Sequence, residues 1–237
     1  MVTSGGLRRA VQLLAGLVLY AASIAMLVHA SLGNMPWDVL SQGLGRRLGW
    51  SLGTATIVVS VAVLACWIPL RQRPGVGTVA NVLVIGLLVD PFLRLLGLLP
   101  ELGLVARVAL TAGGVLLNAV ATACYIGTRL GPGPRDGLMT GLVARTGWSV
   151  RTVRTSIEVL VVLVGWVLGG TVGLGTLAYA LAIGPLVHVL LPRFTVPSGA
   201  RLAPTRAPRE GVADDDGADR TQDQVADDAV VQGRPRR

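Results

Sequence analysis

The sequence predicts an all-α polytopic membrane protein with six transmembrane helices and two short half-helices, built as a 3+3 inverted-topology internal repeat. The first observation is composition: of 237 residues, 52% are hydrophobic and 14% are charged, which is too apolar for a soluble domain. The second is that the chain aligns with itself at an offset of 98 residues. The third is that the apolar residues form stretches long enough to cross a bilayer.

The two copies of the repeat keep one register over roughly 90 residues, whereas biased composition alone would match at many offsets. Residues 32–40, Leu-Gly-Asn-Met-Pro-Trp-Asp-Val-Leu, align with residues 130–138, Leu-Gly-Pro-Gly-Pro-Arg-Asp-Gly-Leu. A second set of aligned residues is Gly75, Gly77 and Thr78 with Gly173, Gly175 and Thr176. We therefore divide the chain into a first membrane repeat, 1–98, a second membrane repeat, 99–196, and a tail, 197–237.

Six apolar stretches reach the length of about 20 residues that a membrane-spanning helix needs. We place these spans near 9–30, 52–70, 76–96, 106–128, 152–170 and 173–192. The first stretch follows Arg8 and Arg9 as the apolar part of a signal peptide would, but its counterpart in the second repeat lies in mid-chain. We therefore expect the first stretch to be a retained transmembrane helix.

A shorter element, 36–48 in the first repeat and 134–146 in the second, follows the first span of each copy. Each begins Pro-x-Asp and ends near Gly-Trp-Ser. A helix of this length reaches only about 20 Å, which is short of the roughly 30 Å hydrocarbon core. We expect two half-helices that lie at the membrane interface or dip into the protein.

Three spans per repeat is an odd number, so the two copies must enter the membrane from opposite sides, as in many secondary transporters. With the N-terminus in the cytoplasm, ten arginines of residues 1–196 fall on the cytoplasmic side and four on the outer side. Because cytoplasmic segments are enriched in arginine, we expect both termini in the cytoplasm.

The tail, 197–237, has eight acids, seven arginines and few large apolar residues. It cannot bury enough surface to fold, so we expect a disordered cytoplasmic extension. The remaining chain has fourteen arginines against five acids and is the source of the net charge of +8. No basic stripe alternates with aromatic residues on a soluble surface, so this charge indicates membrane topology and argues against nucleic-acid binding.

Asp38 and Asp136 occupy equivalent positions at the starts of the two half-helices. A carboxylate in the first turn after a proline faces the positive end of the helix dipole, so helix capping would explain both residues. The functional interpretation is that acids inside a membrane protein mark function, since the starts of broken helices frame substrate or ion sites in transporters. Both interpretations stay open, and both can hold together.

The second repeat gains charged residues where the first has uncharged ones. Together with Asp38 and Asp136, these substrate-binding or ion-binding candidates are Arg135, Arg151, Arg154 and Glu158. At 3.6 residues per turn, Arg151, Arg154 and Glu158 share one helix face. One interpretation makes the arginines positive-inside anchors, with Glu158 neutralised by Arg154. The other is a cytoplasm-facing cavity for an anionic or zwitterionic solute, with Glu158 or Asp136 carrying a proton or cation.

The remaining polar residues receive plainer interpretations. Asp90 lies one turn before Arg94, which indicates a local pair, and Cys66 and Cys124 lie in apolar stretches without metal-ligand spacing. No Ser/His/Asp order or His/Cys cluster occurs, and the Gly-Pro-Gly-Pro run at 131–134 lacks the lysine and hydroxyl of a phosphate-binding loop. We therefore expect no enzyme activity, no metal site and no cofactor.

Four segments of the chain resemble the YczE-like family of bacterial integral membrane proteins, which is related to a broader YitT-like group. They are Leu-Gly-Pro-Gly-Pro-Arg-Asp-Gly-Leu-Met at 130–139, Val-Arg-x-x-Arg-x-x-x-Glu at 150–158, Gly-Trp-x-Leu-Gly-Gly-x-x-Gly-x-Gly-Thr at 165–176, and Pro-Trp-Asp-Val-Leu at 36–40. The resemblance covers residues 7–194 and implies a multi-pass protein of the bacterial plasma membrane. It implies no settled activity.

Repeat topology and intramembrane charge together favour secondary transport of a small solute by alternating access at the Pro-x-Asp half-helices. The expected partners are the lipid bilayer and a small-molecule substrate, and the small number of spans is consistent with a homodimer. The alternative is a non-transporting membrane scaffold or modulator of a partner complex. Its important contacts would lie on the outer helix faces or in the tail.

Overall fold

The computed structural model describes residues 4–196, and within this range it contains eight α-helices and no strand. The helices are α1 (Ser4–Ala30), α2 (Pro36–Leu48), α3 (Leu52–Leu70), α4 (Val76–Leu96), α5 (Leu104–Gly127), α6 (Pro134–Thr146), α7 (Val150–Val167) and α8 (Leu174–Phe194). The predicted all-α class is confirmed. The predicted half-helices are α2 and α6, with the same first and last residues.

Identical start and stop signals in the two halves explain why the half-helix bounds were predictable. Pro36 and Pro134 are the first residues of α2 and α6, where a missing N–H leaves no helical hydrogen bond unmade. Gly49 and Gly147 end these helices in the left-handed conformation, with φ of 70° and 72°. The serine that follows each glycine by two residues then caps the next helix through its side chain.

Five helices of the described chain are long and apolar enough to cross a membrane: α1, α3, α4, α5 and α8. α7, which corresponds to the predicted span 152–170, has 18 residues and carries Arg151, Arg154 and Glu158. The chain is thus a multi-pass helical membrane protein, while the predicted span 152–170 stays a prediction. The predicted tail, 197–237, lies outside the described residues.

The helices pack as two groups of four, and each group takes two helices from either half of the chain. The core group consists of α1, α4, α5 and α8, where α1 packs against α4 and α5, and α5 packs against α8. Its interior is a cluster of buried apolar side chains that includes Leu17, Ile24, Val89, Ala119 and Ile183. The half-helix group consists of α2, α3, α6 and α7, where α2 and α6 both pack against α3 and α7.

Each half-helix packs closely against a long helix from the other half of the chain. A Cβ at Gly165 of α7 would overlap the backbone of Val39 and Leu40 in α2. In the other half, a Cβ at Gly137 of α6 would overlap the indole of Trp67 in α3. In the α2–α7 contact the half-helix also contributes a glycine, because a Cβ at Gly43 would overlap Gly165 O. The half-helices thus begin inside the protein, where Pro36 and Pro134 are buried, and their last residues are exposed.

Two short connections join the groups at the turns that precede the half-helices. Gly77 N at the start of α4 donates to Leu130 O at 2.9 Å, and Gly175 N at the start of α8 donates to Leu32 O at 2.8 Å. The residues after these carbonyls, Gly33 and Gly131, have φ of 122° and 133°, a region that favours glycine. These contacts explain why the glycines recur at the same offset in both repeats.

Candidate functional site

A cavity of about 260 Å³ lies between the core group and the half-helix group. Its walls come from α1, α5 and α8 on one side and from α2, α6 and α7 on the other. The charged residues that line it are Arg135, Asp136, Arg154 and Glu158, and the aromatic ones are Tyr20, Trp37, Tyr125 and Tyr179. Four of the six residues predicted from the sequence therefore face one cavity.

The starts of the two half-helices meet through an ion pair. Arg135 Nη2 at the start of α6 lies 3.2 Å from Asp38 Oδ1 at the start of α2. The Asp38 side chain is 1% exposed, so its charge depends on this partner. The Arg135 guanidinium also lies 5.4 Å from the centre of the Trp37 ring, within the range of a cation–π contact. Asp38 thus does not line the cavity but holds Arg135 in its wall.

A second ion pair joins Arg154 and Glu158 on the same face of α7. Arg154 Nε donates to Glu158 Oε1 at 2.9 Å, and the side chains are 42% and 25% exposed. This geometry agrees with the interpretation that Arg154 neutralises Glu158. Such a partly exposed i,i+4 pair stabilises a helix only weakly, so its position in the cavity wall is the more informative property.

Asp136 takes part in no ion pair within residues 4–196, where the described ion pairs are Arg135–Asp38 and Arg154–Glu158. Its Oδ2 accepts a short hydrogen bond from Tyr125 Oη of α5. Asp136 also lies in the first turn of α6, near the positive end of the helix dipole, as the sequence predicts. Asp136 therefore lies both in the first turn of α6 and in the cavity wall.

Asp136 also faces a second, smaller pocket of about 40 Å³ on the other side of the half-helix starts. This pocket is lined by Thr56 and Ser60 of α3 and by Asn81 of α4, with Tyr20 and Tyr125 shared between both pockets. Asp136 is thus a wall residue common to a pocket on the α7–α8 side and one on the α3–α4 side.

Arg151 does not join the predicted charged group. It is exposed and lines neither of the two pockets that contain Asp136. Helix periodicity predicts Arg151 on the same helix face as Arg154 and Glu158. Arg151 is, however, only the second residue of α7, and it lies before the part of the helix that packs against other helices. Its position suits the interpretation as an interfacial anchor.

The sequence reasoning missed the tyrosines of the cavity and the buried polar chain behind them. Tyr179 Oη donates to Asn118 Oδ1 at 2.9 Å, and Asn118 Nδ2 donates to Ser23 Oγ at 2.9 Å. Asn118 is fully buried in the middle of the apolar helix α5. A lone asparagine within a predicted span was the signal that could have located this part of the site.

The equivalent helix pairs α3–α4 and α7–α8 differ in how closely their helices approach; α3 and α4 border the smaller pocket, whereas α7 and α8 border the cavity. In the first pair, α3 packs against α4, where a Cβ at Gly86 would overlap the side chain of Ile57. Gly53 N of α3 donates to Asp90 Oδ1 of α4 at 3.0 Å, so the hydrogen bond of Asp90 goes to α3 and not to the predicted partner Arg94. We call this contact the α3–α4 closure.

The corresponding helices of the second half, α7 and α8, make no comparable contact within the described residues. Gly184, the counterpart of Gly86, has open space where a Cβ would lie, and it lines the cavity. The counterparts of Gly53 and Asp90 are Arg151 and His188, which are larger and carry no carboxylate. The cavity therefore opens between α7 and α8.

No group of three or more His, Cys, Asp or Glu side chains in residues 4–196 is placed to hold a metal ion. What the site offers is a small chamber with paired charges, one carboxylate held by a phenol, and several aromatic rings. These features suit reversible binding of a small polar molecule.

The fold and cavity define a polytopic helical membrane protein with a charged internal chamber. By sequence, the chain belongs to DUF6198, a family of unknown function, whose pattern matches residues 7–192. An uncharacterized protein of Haemophilus influenzae is 39% identical over 180 residues, which is 74% of this chain and 82% of that protein.

Two proteins of Bacillus subtilis are also similar. The uncharacterized membrane protein YczE is 29% identical over 181 residues, covering 76% of this chain and 83% of YczE. The uncharacterized protein YyaS is 28% identical over 182 residues, covering 75% of this chain and 89% of YyaS. The resemblance to YczE expected from the sequence motifs is confirmed. No solved structure matches the chain.

Proposed function

We propose that this protein is a secondary transporter of a small solute in the bacterial plasma membrane, and not an enzyme. The solute would bind in the cavity between the core group and the half-helix group. Access would alternate between the two membrane faces as these groups move relative to each other. The observation that carries the proposal is the difference between the α3–α4 closure, beside the smaller pocket, and the open α7–α8 pair, beside the cavity.

Because the two halves of the chain have equivalent helices, the second conformation can be described by exchanging the contacts of one half for those of the other. In that conformation α7 and α8 approach at Gly184, as α3 and α4 now approach at Gly86, and the α3–α4 closure opens. The short connections before the half-helices would act as pivots, since the two groups meet there through a few hydrogen bonds of the turns, such as Gly77 N to Leu130 O and Thr78 Oγ1 to Pro132 O. A two-state element of this kind is what alternating access requires.

The inverted repeat determines which face of the membrane the cavity opens to. In the proposal α7 also spans the membrane, as the fifth span in chain order: Arg154 and Glu158 face the cavity, whereas Leu160 and Trp166, 61% and 63% exposed, face the lipid. With both termini in the cytoplasm, the α3–α4 closure lies in the outer half of the membrane. The cavity then faces the cytoplasm.

The proposed solute is small, because the cavity of about 260 Å³ lies below the usual range for drug-sized ligands. The sequence favoured an anionic or zwitterionic solute on account of the arginines. Both arginines of the cavity wall are engaged by carboxylates, so less positive charge is available than their number indicates. Of these two classes, the pairing favours the zwitterionic one.

Paired intracellular and extracellular metabolite profiling of a deletion strain tests the proposal. The strain is complemented with wild type, with the double variant Asp136→Asn and Glu158→Gln, or with the matched control Glu101→Gln, which removes an exposed carboxylate outside the cavity. We expect one solute to shift its distribution on deletion and to be restored by wild type and by Glu101→Gln. The double variant should restore it at least about tenfold less well, as expected for losing charged contacts.

Full rescue by the double variant at equal expression would contradict the transport proposal. A phenotype without any shift in solute distribution would favour the scaffold alternative. In that case deletion of residues 197–237 is the next variant, because loss of the phenotype with intact membrane-embedded protein would place the function in the tail.

A further inference from the structure

The charges around the cavity do not balance within the described residues. The site brings together two guanidinium groups, those of Arg135 and Arg154, and three carboxylates. Each guanidinium is held by one carboxylate, Arg135 by Asp38 and Arg154 by Glu158. The remaining carboxylate is that of Asp136, whose side-chain partner is the neutral hydroxyl of Tyr125. When all five groups are ionised, the site therefore carries one excess negative charge, and Asp136 is the carboxylate that forms an ion pair with neither arginine.

The surroundings of Asp136 cannot easily hold this charge uncompensated. From α3 and α4 the second pocket presents only the uncharged groups of Thr56, Ser60 and Asn81. From α1 and α8 the facing titratable groups are the phenols of Tyr20 and Tyr179, which are neutral. An ionised carboxylate in a membrane-embedded site requires a cation or a proton as its partner. The site is therefore complete only when Asp136 binds one of these.

We infer that Asp136 is an exchange site that binds either a proton or the protonated amino group of the transported solute, and never both. This inference rests on the proposed function, because exchange requires that the cavity open to both sides of the membrane. Asp136 is suited to it by position, since it lines both the open cavity and the smaller pocket behind the α3–α4 closure.

The chemistry of the wall favours an amine over other small ligands. An ammonium group donates charge-assisted hydrogen bonds to a carboxylate, and the rings of Tyr20, Tyr125 and Tyr179 offer faces that attract a cation. A ligand with only a carboxylate would add a second uncompensated negative charge beside Asp136. A zwitterion stays compatible, because Arg154 is 42% exposed in the same wall and can approach a carboxylate of the ligand.

The exchange step balances without covalent chemistry. With Asp136 protonated, the O–H proton passes to water in the cavity and leaves a carboxylate. The solute arrives already protonated and forms an ion pair with that carboxylate through its N–H groups. Release on the other side of the membrane frees the carboxylate, which takes a proton from water before the cavity returns. One protonated amine thus moves in one direction for each proton that moves in the other.

Ligand binding to the purified full-length protein in lipid nanodiscs tests the inference separately from transport. The probes are a panel of small primary amines, each paired with the carboxylate and the alcohol of the same skeleton, such as benzylamine, benzoate and benzyl alcohol. Thermal unfolding screens the panel, and calorimetry in buffers of different ionisation enthalpy counts the protons released. The variants are Asp136→Asn and the charge-matched control Glu101→Gln, whose carboxylate is exposed outside the cavity.

We expect at least one amine to bind wild type and Glu101→Gln with release of close to one proton, and to bind Asp136→Asn at least tenfold more weakly. Affinity should rise by up to about tenfold per pH unit while Asp136 is protonated in the free protein, because one proton competes with one ligand. The alcohols should not bind measurably.

Binding of carboxylates alone, absence of binding by every amine, or equal amine affinity in wild type and Asp136→Asn would overturn the inference. Amine binding at Asp136 without solute movement in cells would instead leave the exchange site in place and count against the transport function. The two failures are therefore distinguishable.

Discussion

At the residue scale, the Asp38–Arg135 ion pair joins a buried carboxylate of the first half of the chain to a guanidinium group of the second half. Asp38 is 1% exposed, and Arg135 is its one side-chain partner among the described residues. The second carboxylate oxygen, Asp38 Oδ2, is buried and has no hydrogen-bond partner within residues 4–196. Loss of Arg135 would therefore leave a buried carboxylate without compensation, whereas the partly exposed Arg154–Glu158 pair has access to water.

The two ion pairs should differ sharply in their effect on stability. We expect Arg135→Gln to lower the free energy of unfolding by about 3–5 kcal/mol, the usual effect of breaking a buried pair. Adding Asp38→Asn to Arg135→Gln should recover part of this loss. The matched variant Arg154→Gln should change stability by about 1 kcal/mol or less. Unfolding of the detergent-solubilised protein measures the stability of all three variants. Equal losses of stability for Arg135→Gln and Arg154→Gln would contradict the distinction between a buried and an exposed ion pair.

At the element scale, the relation between α3–α4 and α7–α8 decides whether the protein has two conformations. Ile57 and Gly86 lie in contact across the α3–α4 closure, while their counterparts Thr155 and Gly184 belong to the open pair of helices. No contact in the observed conformation requires glycine at position 184, since a Cβ added there would have no other atom within 4 Å. In the proposed second conformation it takes the place of Gly86.

Disulfide cross-linking tests this relation with two matched pairs in a background where Cys66 and Cys124 are replaced by alanine. We expect Ile57→Cys with Gly86→Cys to cross-link readily in the unliganded protein, since disulfides form where Cα atoms are within about 7 Å. Thr155→Cys with Gly184→Cys should cross-link only when the cavity closes on the α7–α8 side, and this second cross-link should stop transport. Failure of the second pair under every condition of ligand and pH would argue for a single rigid conformation.

At the scale of the whole molecule, the membrane orientation determines which compartment the cavity faces. The exposed turn before α4 contains Pro74, and the exposed turn between α4 and α5 contains Glu101. These turns lie at opposite ends of α4, which is apolar and long enough to span a membrane. The excess of arginine on one side predicts that the Pro74 turn is cytoplasmic and the Glu101 turn is outside.

Single-cysteine labelling in the same cysteine-free background measures this orientation. We expect Glu101→Cys to react with a membrane-impermeant maleimide on intact cells. Pro74→Cys should react only after the cells are permeabilised. The reverse pattern would place the cavity opening on the outer face and invert the proposed direction of access, and labelling of both positions on intact cells would contradict a fixed orientation.

The helices were predictable from the sequence, and the bounds of α2 and α6 were too, because they depend on local signals, whereas α1 begins five residues before the predicted span. The proline starts and left-handed glycine ends of α2 and α6, and the serine caps of α3 and α7, act within a few residues. The self-alignment also paired Asp38 with Asp136 and Gly77 with Gly175, since equivalent positions recur at one offset. Four cavity-wall residues followed from the rule that charge in a membrane protein is rarely without a partner or function.

Only the tertiary structure decided which partners those residues have. Asp38 pairs with Arg135 across 97 positions, Asp136 bonds to Tyr125 of another helix, and Asp90 bonds to α3. Arg151 falls outside the cavity although it shares the helix face of Arg154, since periodicity fixes direction around a helix but not depth along it. Which of the helix pairs α3–α4 and α7–α8 is in close contact depends on how the core group and the half-helix group pack against each other, and no local signal in the sequence determines that.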